Sequence, residues 1–293
     1  MASLVKDLVE AGIHFGHRTT NWNPKMAPYI FGKKNKIHII DVKATVKGLL
    51  LARKFITKVV SAGQDVLFVG TKRQARGILE KHCAEVGQPY VIERWLGGTL
   101  TNFRTIRDRL KRLEELEKID TGGDMAKYSK KMESTLRREK DKILRNLAGI
   151  RNMTKLPGAM VIIDVKREVN AVREARKLGI PTVCLIDTDS DPDFADIPIP
   201  GNDDAMRAIE VVVQSLTAAV AEGKTGRATS GEGKEDSSRP ERGDRGERGG
   251  DRGQQRRRSS RSRFRADGTG DAAGAPEGAP EAAAAPEKSG AAQ

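Results

Sequence analysis

From residue 37 to residue 221 the chain alternates short apolar runs with longer stretches of helical periodicity, and this alternation narrows the possible folds most sharply. The runs lie at 37–40, 66–69, 90–92, 159–163 and 182–186. Near-continuous apolar runs of this length, with little polar alternation, suit strands covered on both faces. Helix-periodic stretches occupy 44–61, 74–86, 169–178 and 205–221, and Gly63, Gly87, Gly179 and Gly223 stand where such helices stop. Strand, helix, strand in series calls for right-handed crossovers, so the expected fold is α/β with a doubly wound parallel sheet.

One segment breaks the alternation. Residues 102–118 and 127–149 are two helical patterns in succession, joined by a turn at 120–124 that contains Gly122 and Gly123. Ile106, Leu110, Leu113 and Ile119 form a stripe on the first, and Leu136, Ile143, Leu147 and Ile150 form one on the second. Narrow apolar stripes of this kind cover one another, which predicts an antiparallel helical hairpin inserted in the α/β body and projecting from it. Each arm would be roughly 25–30 Å long. The expected organisation is therefore a body from 1–101 and 151–223, an inserted hairpin at 102–150 and a tail at 224–293.

The tail is set apart by composition. Its 70 residues contain one large apolar side chain, Phe264, too little to offset the entropy of ordering, so disorder is expected. Its first part, 224–265, is Arg/Gly-rich with fourteen cations and seven acids; 266–293 is Ala/Pro/Gly-rich and net acidic. The basic part suits a nucleic-acid-seeking arm or a solubilising tail. Of 53 Lys and Arg against 40 Asp and Glu in the whole chain, 38 and 28 fall within 1–223. The positive excess thus belongs mainly to the folded part, 1–223, and points to a polyanionic partner. No apolar run is long enough to span a membrane, and charges at Lys6, Asp7 and Glu10 break any leader-like apolar stretch. Cys83 and Cys184 lie in apolar-periodic segments without a CxxC partner, which excludes a disulfide framework and fits buried thiols in a reducing compartment.

Asp41, Asp164 and Asp187 each follow an apolar run, at the edge where open α/β sheets bind ligands. All three suit acid–base or metal-ligand roles on one reading; on the other, Asp41 and Asp164 cap the helices or turns that follow. The run Asp187-Thr188-Asp189-Ser190-Asp191-Pro192-Asp193 begins like a calcium loop, but Pro192 and Pro198 stand at its glycine and bidentate-glutamate positions, which excludes an EF-hand. A hydrated cation over Asp187, Asp189 or Asp203 stays open. So does metal binding by His14 and His17, although no third zinc ligand is in view. Gly70-Thr71-Lys72-Arg73 opens a helix after a strand, an arrangement that suits a phosphate, yet neither GxGxxG nor GxxxxGK[ST] occurs. No cofactor is implied.

Two segments interleave cations, amides and aromatics: residues 17–36, with Arg18, Trp22, Asn23, Lys25, Phe31, Lys33, Lys34 and Lys36, and residues 94–104, with Arg94, Trp95, Asn102 and Arg104. Cations neutralise phosphates, and aromatic or guanidinium planes stack on bases. Trp22, Phe31 and Trp95 equally suit loop anchors in the core, whereas Lys33, Lys34, Lys36, Arg94 and Arg104 favour RNA.

HFGHRTTNWNPKMAPYIFGKKNKIHIID, FVGTKRQA, RWLGGTLTNF, LPGAMVIID, GIPTVCLIDTDSDPD and IPIPGNDDA occur in the order found in the bacterial family of small-subunit ribosomal protein two, which the chain resembles from about residue 4 to 223. The resemblance implies a flavodoxin-like body with an inserted helical hairpin, bound to 16S ribosomal RNA where head meets body of the 30S subunit in the cytoplasm. It also implies docking of the large ribosomal protein one, with no catalysis, no membrane and no homo-oligomer. Carried onto this chain, the RNA-facing candidates are Arg18, Trp22, Asn23, Lys25, Lys33, Lys34, Lys36, Lys72, Arg73, Arg94 and Asn102, beside Arg104. The residues alone also admit a nucleotide- or sugar-phosphate-binding α/β enzyme using 70–73 and the strand-end aspartates, or a protein-docking module.

Overall fold

The computed structural model describes residues 2–122 and 128–232, with side chains described for 4–122 and 128–227. Its parallel sheet contains β4 (Val66–Val69), β5 (Tyr90–Val91), β6 (Ala159–Ile163), β7 (Thr182–Ile186) and β8 (Ile197–Pro200), in the order β5-β4-β6-β7-β8. The strands are buried on both faces because their side chains alternate between two cores. Phe68, Val161, Ile163, Val183 and Leu185 pack on one side with Leu49, Ile56, Leu79 and Val213, from α2 (Val42–Ser61), α3 (Arg73–Val86) and α7 (Met206–Glu232). Leu67, Val69, Met160, Ile162, Cys184 and Ile186 pack on the other with Ile106 of α4 (Phe103–Thr121) and Val172 of α6 (Val169–Leu178). Each fully buried side chain of this size contributes roughly 1.5–3 kcal/mol, so a sheet covered twice concentrates the stabilising burial. Left-handed glycines, Gly87 and Gly179, close α3 and α6. Cys83 and Cys184 are free and buried, and burial pushes the Cys184 thiol up to about 12.

The chain steps from β4 outward to β5 and then returns past β4 to β6. The strand order reverses there, which sets the loops after β4 and β6 at the carboxyl edge of the sheet, where open α/β sheets bind ligands.

Three expectations are corrected, and one strand is added. The run 37–40 is no strand of the parallel sheet: as β3 (Ile37–Ile40) it is the centre of a separate antiparallel sheet between β1 (Phe15–Arg18) and β2 (Ile30–Lys34). An apolar run reports burial and leaves the pairing partner unspecified. Strand β8 escapes notice because Ile-Pro-Ile-Pro reads as a strand breaker; as an edge strand it tolerates prolines, which lack the N–H. Gly223 does not end a helix. It lies within α7, where a Cβ would stand 2.9 Å from the Thr57 carbonyl oxygen of α2, so it is small to let two helices approach. The helix therefore runs nine residues into the expected tail, and 233–293 lie outside the described residues.

Helix α4 and α5 (Lys130–Leu147) follow one another between β5 and β6. Their contacts run in opposite senses: Lys140 pairs with Asp120, while Arg107 Nη1 donates to the Met153 carbonyl at 3.1 Å. Leu116 and Leu136 face each other with Ile119 and Ile143 at the far end. At the near end Ile106, Leu110, Leu147 and Ile150 join the core of the body, so the stripes cover each other only beyond it. Part of the turn expected at 120–124 lies outside the described residues. At the amino end, α1 (Ala2–Glu10) places Leu8 in the first core, beside α2.

Candidate nucleic-acid interface

Loops from β4, β6, β7 and β8 meet at the carboxyl edge of the parallel sheet, and the antiparallel sheet contributes His17. Lys72 Nζ lies 2.6 Å from Asp203 Oδ1, 2.6 Å from Asp204 Oδ1 and 3.6 Å from Asp164 Oδ2. Burial works against its charge, but these carboxylates outweigh it and hold the ammonium above the ordinary lysine range. His17 Nδ1 lies 3.0 Å from Asp187 Oδ2, and its Nε2 is 3.6 Å from Asp204 Oδ2. The hydrogen bond to Asp187 overcomes partial burial and raises His17 to about 9, so the ring is an imidazolium at neutral pH. Asp203 is pushed up to about 7 by burial and by the neighbouring Asp164 and Asp187 charges. Two cations thus hold together four carboxylates from three loops.

This arrangement revises what the sequence suggests for 70–73. Lys72 is turned inward onto carboxylates, so its charge is not offered to a phosphate at the surface. The backbone N–H of Thr71 donates to Glu168 Oε1 at 3.1 Å, and its hydroxyl donates to the same oxygen. The donors of Thr71 are therefore engaged internally, whereas Lys72 makes no side-chain cap bond to the start of α3 and Arg73 is exposed. The strand-end aspartates divide. Asp41 caps α2 by accepting from Lys43 N at 2.9 Å, and Asp164 caps its turn by accepting from Arg167 N at 3.0 Å. Asp187 instead lies beneath His17. His14 lies against Phe15, with ring centroids 4.1 Å apart, and Asp189 pairs with Lys166 at 2.9 Å. Among the described residues, no group of three or more His, Cys, Asp or Glu is placed to hold a metal ion.

Apart from Arg73, the outward candidate cations fall into two groups. At the end of the antiparallel sheet, Arg18 and Lys34 both register opposite Ile37, and Lys33 registers opposite His38. Lys33, Lys34 and Lys36 are exposed, and the turn between β2 and β3 carries Asn35 and Lys36 at positive φ (52 and 63°). Two successive left-handed residues match the twist of the flanking strands and hold this tip tightly. Trp22 lies over His38 with ring centroids 5.0 Å apart and remains 38% exposed. Asn23 caps the following short 3-10 helix, Pro24–Tyr29, by accepting from Lys25 N at 3.0 Å. Lys25 Nζ itself is 2.8 Å from Asp191 Oδ2 and 2.5 Å from Asp193 Oδ2, so the side chain bridges to the loop after β7. Asn23 N also donates to Thr188 O at 2.8 Å, which ties this segment to the same loop.

The second group surrounds the loop before α4. Arg94, Asn102 and Arg104 are exposed, whereas Trp95 is buried and serves as an anchor. Glu174 of α6 organises this loop. Its Oε1 accepts from Trp95 Nε1 at 3.0 Å and from Gly98 N at 2.7 Å. Its Oε2 accepts from Leu100 N, Thr101 N and Thr101 Oγ1 at 3.0, 3.1 and 3.2 Å. Burial alone would raise this carboxyl, but the donated hydrogen bonds prevail and lower it. Nothing local in the sequence marks Glu174, because its partners lie more than seventy residues away.

The model of the family described as Ribosomal protein S2 matches residues 8–223, nearly the whole described body. This chain belongs to the ribosomal protein S2 family. A relative named small ribosomal subunit protein uS2 from Rhodopirellula baltica is 59% identical over 221 residues, covering 75% of this chain and 85% of the relative. Proteins of the same name from Rippkaea orientalis and Synechococcus elongatus are 47% and 48% identical, covering 78% and 76% of this chain and 86% and 88% of their own. The family match ends at Gly223, so the Arg/Gly-rich segment beyond it lies outside the shared region.

Proposed function

We propose that this chain is a non-catalytic structural constituent of the cytoplasmic small ribosomal subunit. In this reading it binds 16S ribosomal RNA near the junction of head and body and supports docking of the large ribosomal protein one. The observation that carries the reading is family membership across 8–223, with relatives named as small-subunit proteins. The sheet order, second-first-third-fourth-fifth among the parallel strands, supports a flavodoxin-like body, with α4 and α5 as its inserted hairpin. Arg18, Lys33, Lys34, Lys36, Arg73, Arg94 and Arg104 are its exposed phosphate contacts, with Trp22 and Asn102 beside them. Lys72 supports this surface from within through its contact with Asp203, while Asn23 and the exposed Lys25 tie it to the loop after β7 through Thr188 and Asp191.

The ion pairs at the carboxyl edge of the sheet favour a structural role over a phosphate-binding enzyme, because Thr71 and Lys72 are bound to Glu168 and to Asp203 and Asp204 instead of facing a ligand. The test is equilibrium binding to small-subunit particles assembled without this protein, across a salt series. Cations released from several phosphates make affinity fall by orders of magnitude between about 50 and 200 mM salt. Equal affinity at both ends of the series would refute an electrostatic RNA interface.

A further inference from the structure

Phe31 is 82% exposed, the highest exposure among the large apolar side chains described. Its position has a structural cause. In the β2–β3 ladder Ile30 pairs with Ile40 and Gly32 with Ile39, so Phe31 is the extra residue of a β-bulge. A bulge re-aims the side chain it carries, and here it turns a phenyl ring to solvent instead of the core. Burying that ring would be favourable, so the sheet forgoes stabilisation by presenting it. The surroundings are cationic: Lys33, Lys34 and Lys36 follow on the same hairpin and are exposed. A flat aromatic face amid flexible ammonium groups matches the chemistry of an unpaired nucleobase, whose phosphates the lysines neutralise while its ring stacks. An apolar protein surface would find three lysines at its rim.

We infer that Phe31 is a stacking platform for an unpaired base of RNA, held outward by the β2–β3 bulge. This inference rests on the RNA-binding reading above and adds the mode of contact. The experiment uses the full chain and small-subunit particles assembled without it, with affinity measured across a salt series and base accessibility probed by chemical methylation. Phe31→Ala is expected to weaken binding about 5- to 150-fold, the range for loss of one stacked base. It should leave the salt slope and melting temperature unchanged and re-expose a base that the wild type protects. Phe31→Tyr should restore both affinity and protection. The combined Lys33→Ala, Lys34→Ala and Lys36→Ala variant should instead flatten the salt slope. Wild-type affinity of Phe31→Ala, or weakened binding with no base re-exposed, would overturn the stacking role, the latter pointing to a protein neighbour. If the triple-lysine variant also bound with wild-type affinity and slope, the RNA-binding reading of this hairpin would fall with it.

Discussion

His17 couples two sheets through charge. It sits on β1, and its carboxylate partners Asp187 and Asp204 lie in the loops after β7 and β8. Because its folded value is raised to about 9, its stabilising contribution is fully present below the unfolded value near 6.5 and is lost as pH rises through 9. Asp203, raised from 3.8 to about 7, acts in the same direction over a lower window, its contribution being lost as pH rises through 7, since ionising it adds a further buried negative charge. The melting temperature is expected to fall between pH 6.5 and 9.5, and His17→Ala should flatten that slope while lowering stability at pH 6 by about 1–3 kcal/mol. An identical pH profile in the variant would contradict the imidazolium assignment. Glu174 has the opposite sign. Its carboxyl is lowered, so its contribution is present above the unfolded carboxylate value and lost as pH falls through the folded one. Glu174→Gln turns an NH2 group toward the donors of the 95–101 loop and should cost about 1–3 kcal/mol, measurable by denaturant unfolding. These two groups show what sequence reading misses at this scale. Lys72, His17 and Glu174 each gain their meaning from partners far away in the chain, and a cation next to a helix start looks the same whether it faces solvent or three carboxylates.

The secondary elements were legible where their environment is uniform along their length. Strands β4, β6 and β7 are buried on both faces, so their apolar runs announce them, and α2, α3 and α6 begin within two residues of where periodicity places them. Elements whose form depends on neighbours were not. Strand β8 is read through its prolines, β1 and β2 through polar and glycine residues, and the extension of α7 through a glycine that serves close packing. The α4–α5 pair falls between these cases, since its far contact was legible as stripes while its near half merges with the body. Leu136 is 8% exposed and packs against Leu116, so Leu136→Asp places a carboxylate where no partner stands. Proteolysis within 128–147 should accelerate and helical signal in the far ultraviolet should drop, with the rest of the body retained. Unchanged protease sensitivity would show that this pair does not hold the two helices together.

For the molecule as a whole, the sheet and its two cores make a scaffold whose carboxyl edge is held by its own ion pairs, while exposed cations lie on the antiparallel sheet, on the loop before α4 and along α4 and α5. Residues 1–223, body and hairpin together, carry most of the net charge of +13, and the basic part of the region after residue 223 adds to it outside the family match. A scaffold of this kind has no need of a cofactor fingerprint; its affinity should be set by how many cations meet phosphate. The measurement that bears most directly on this is sedimentation of a cell lysate through gradients of low and then high salt, following this chain. Co-migration with small ribosomal subunits at low salt and release as salt rises is the predicted result. Migration at low salt as a free species of about 32.0 kDa would contradict the account.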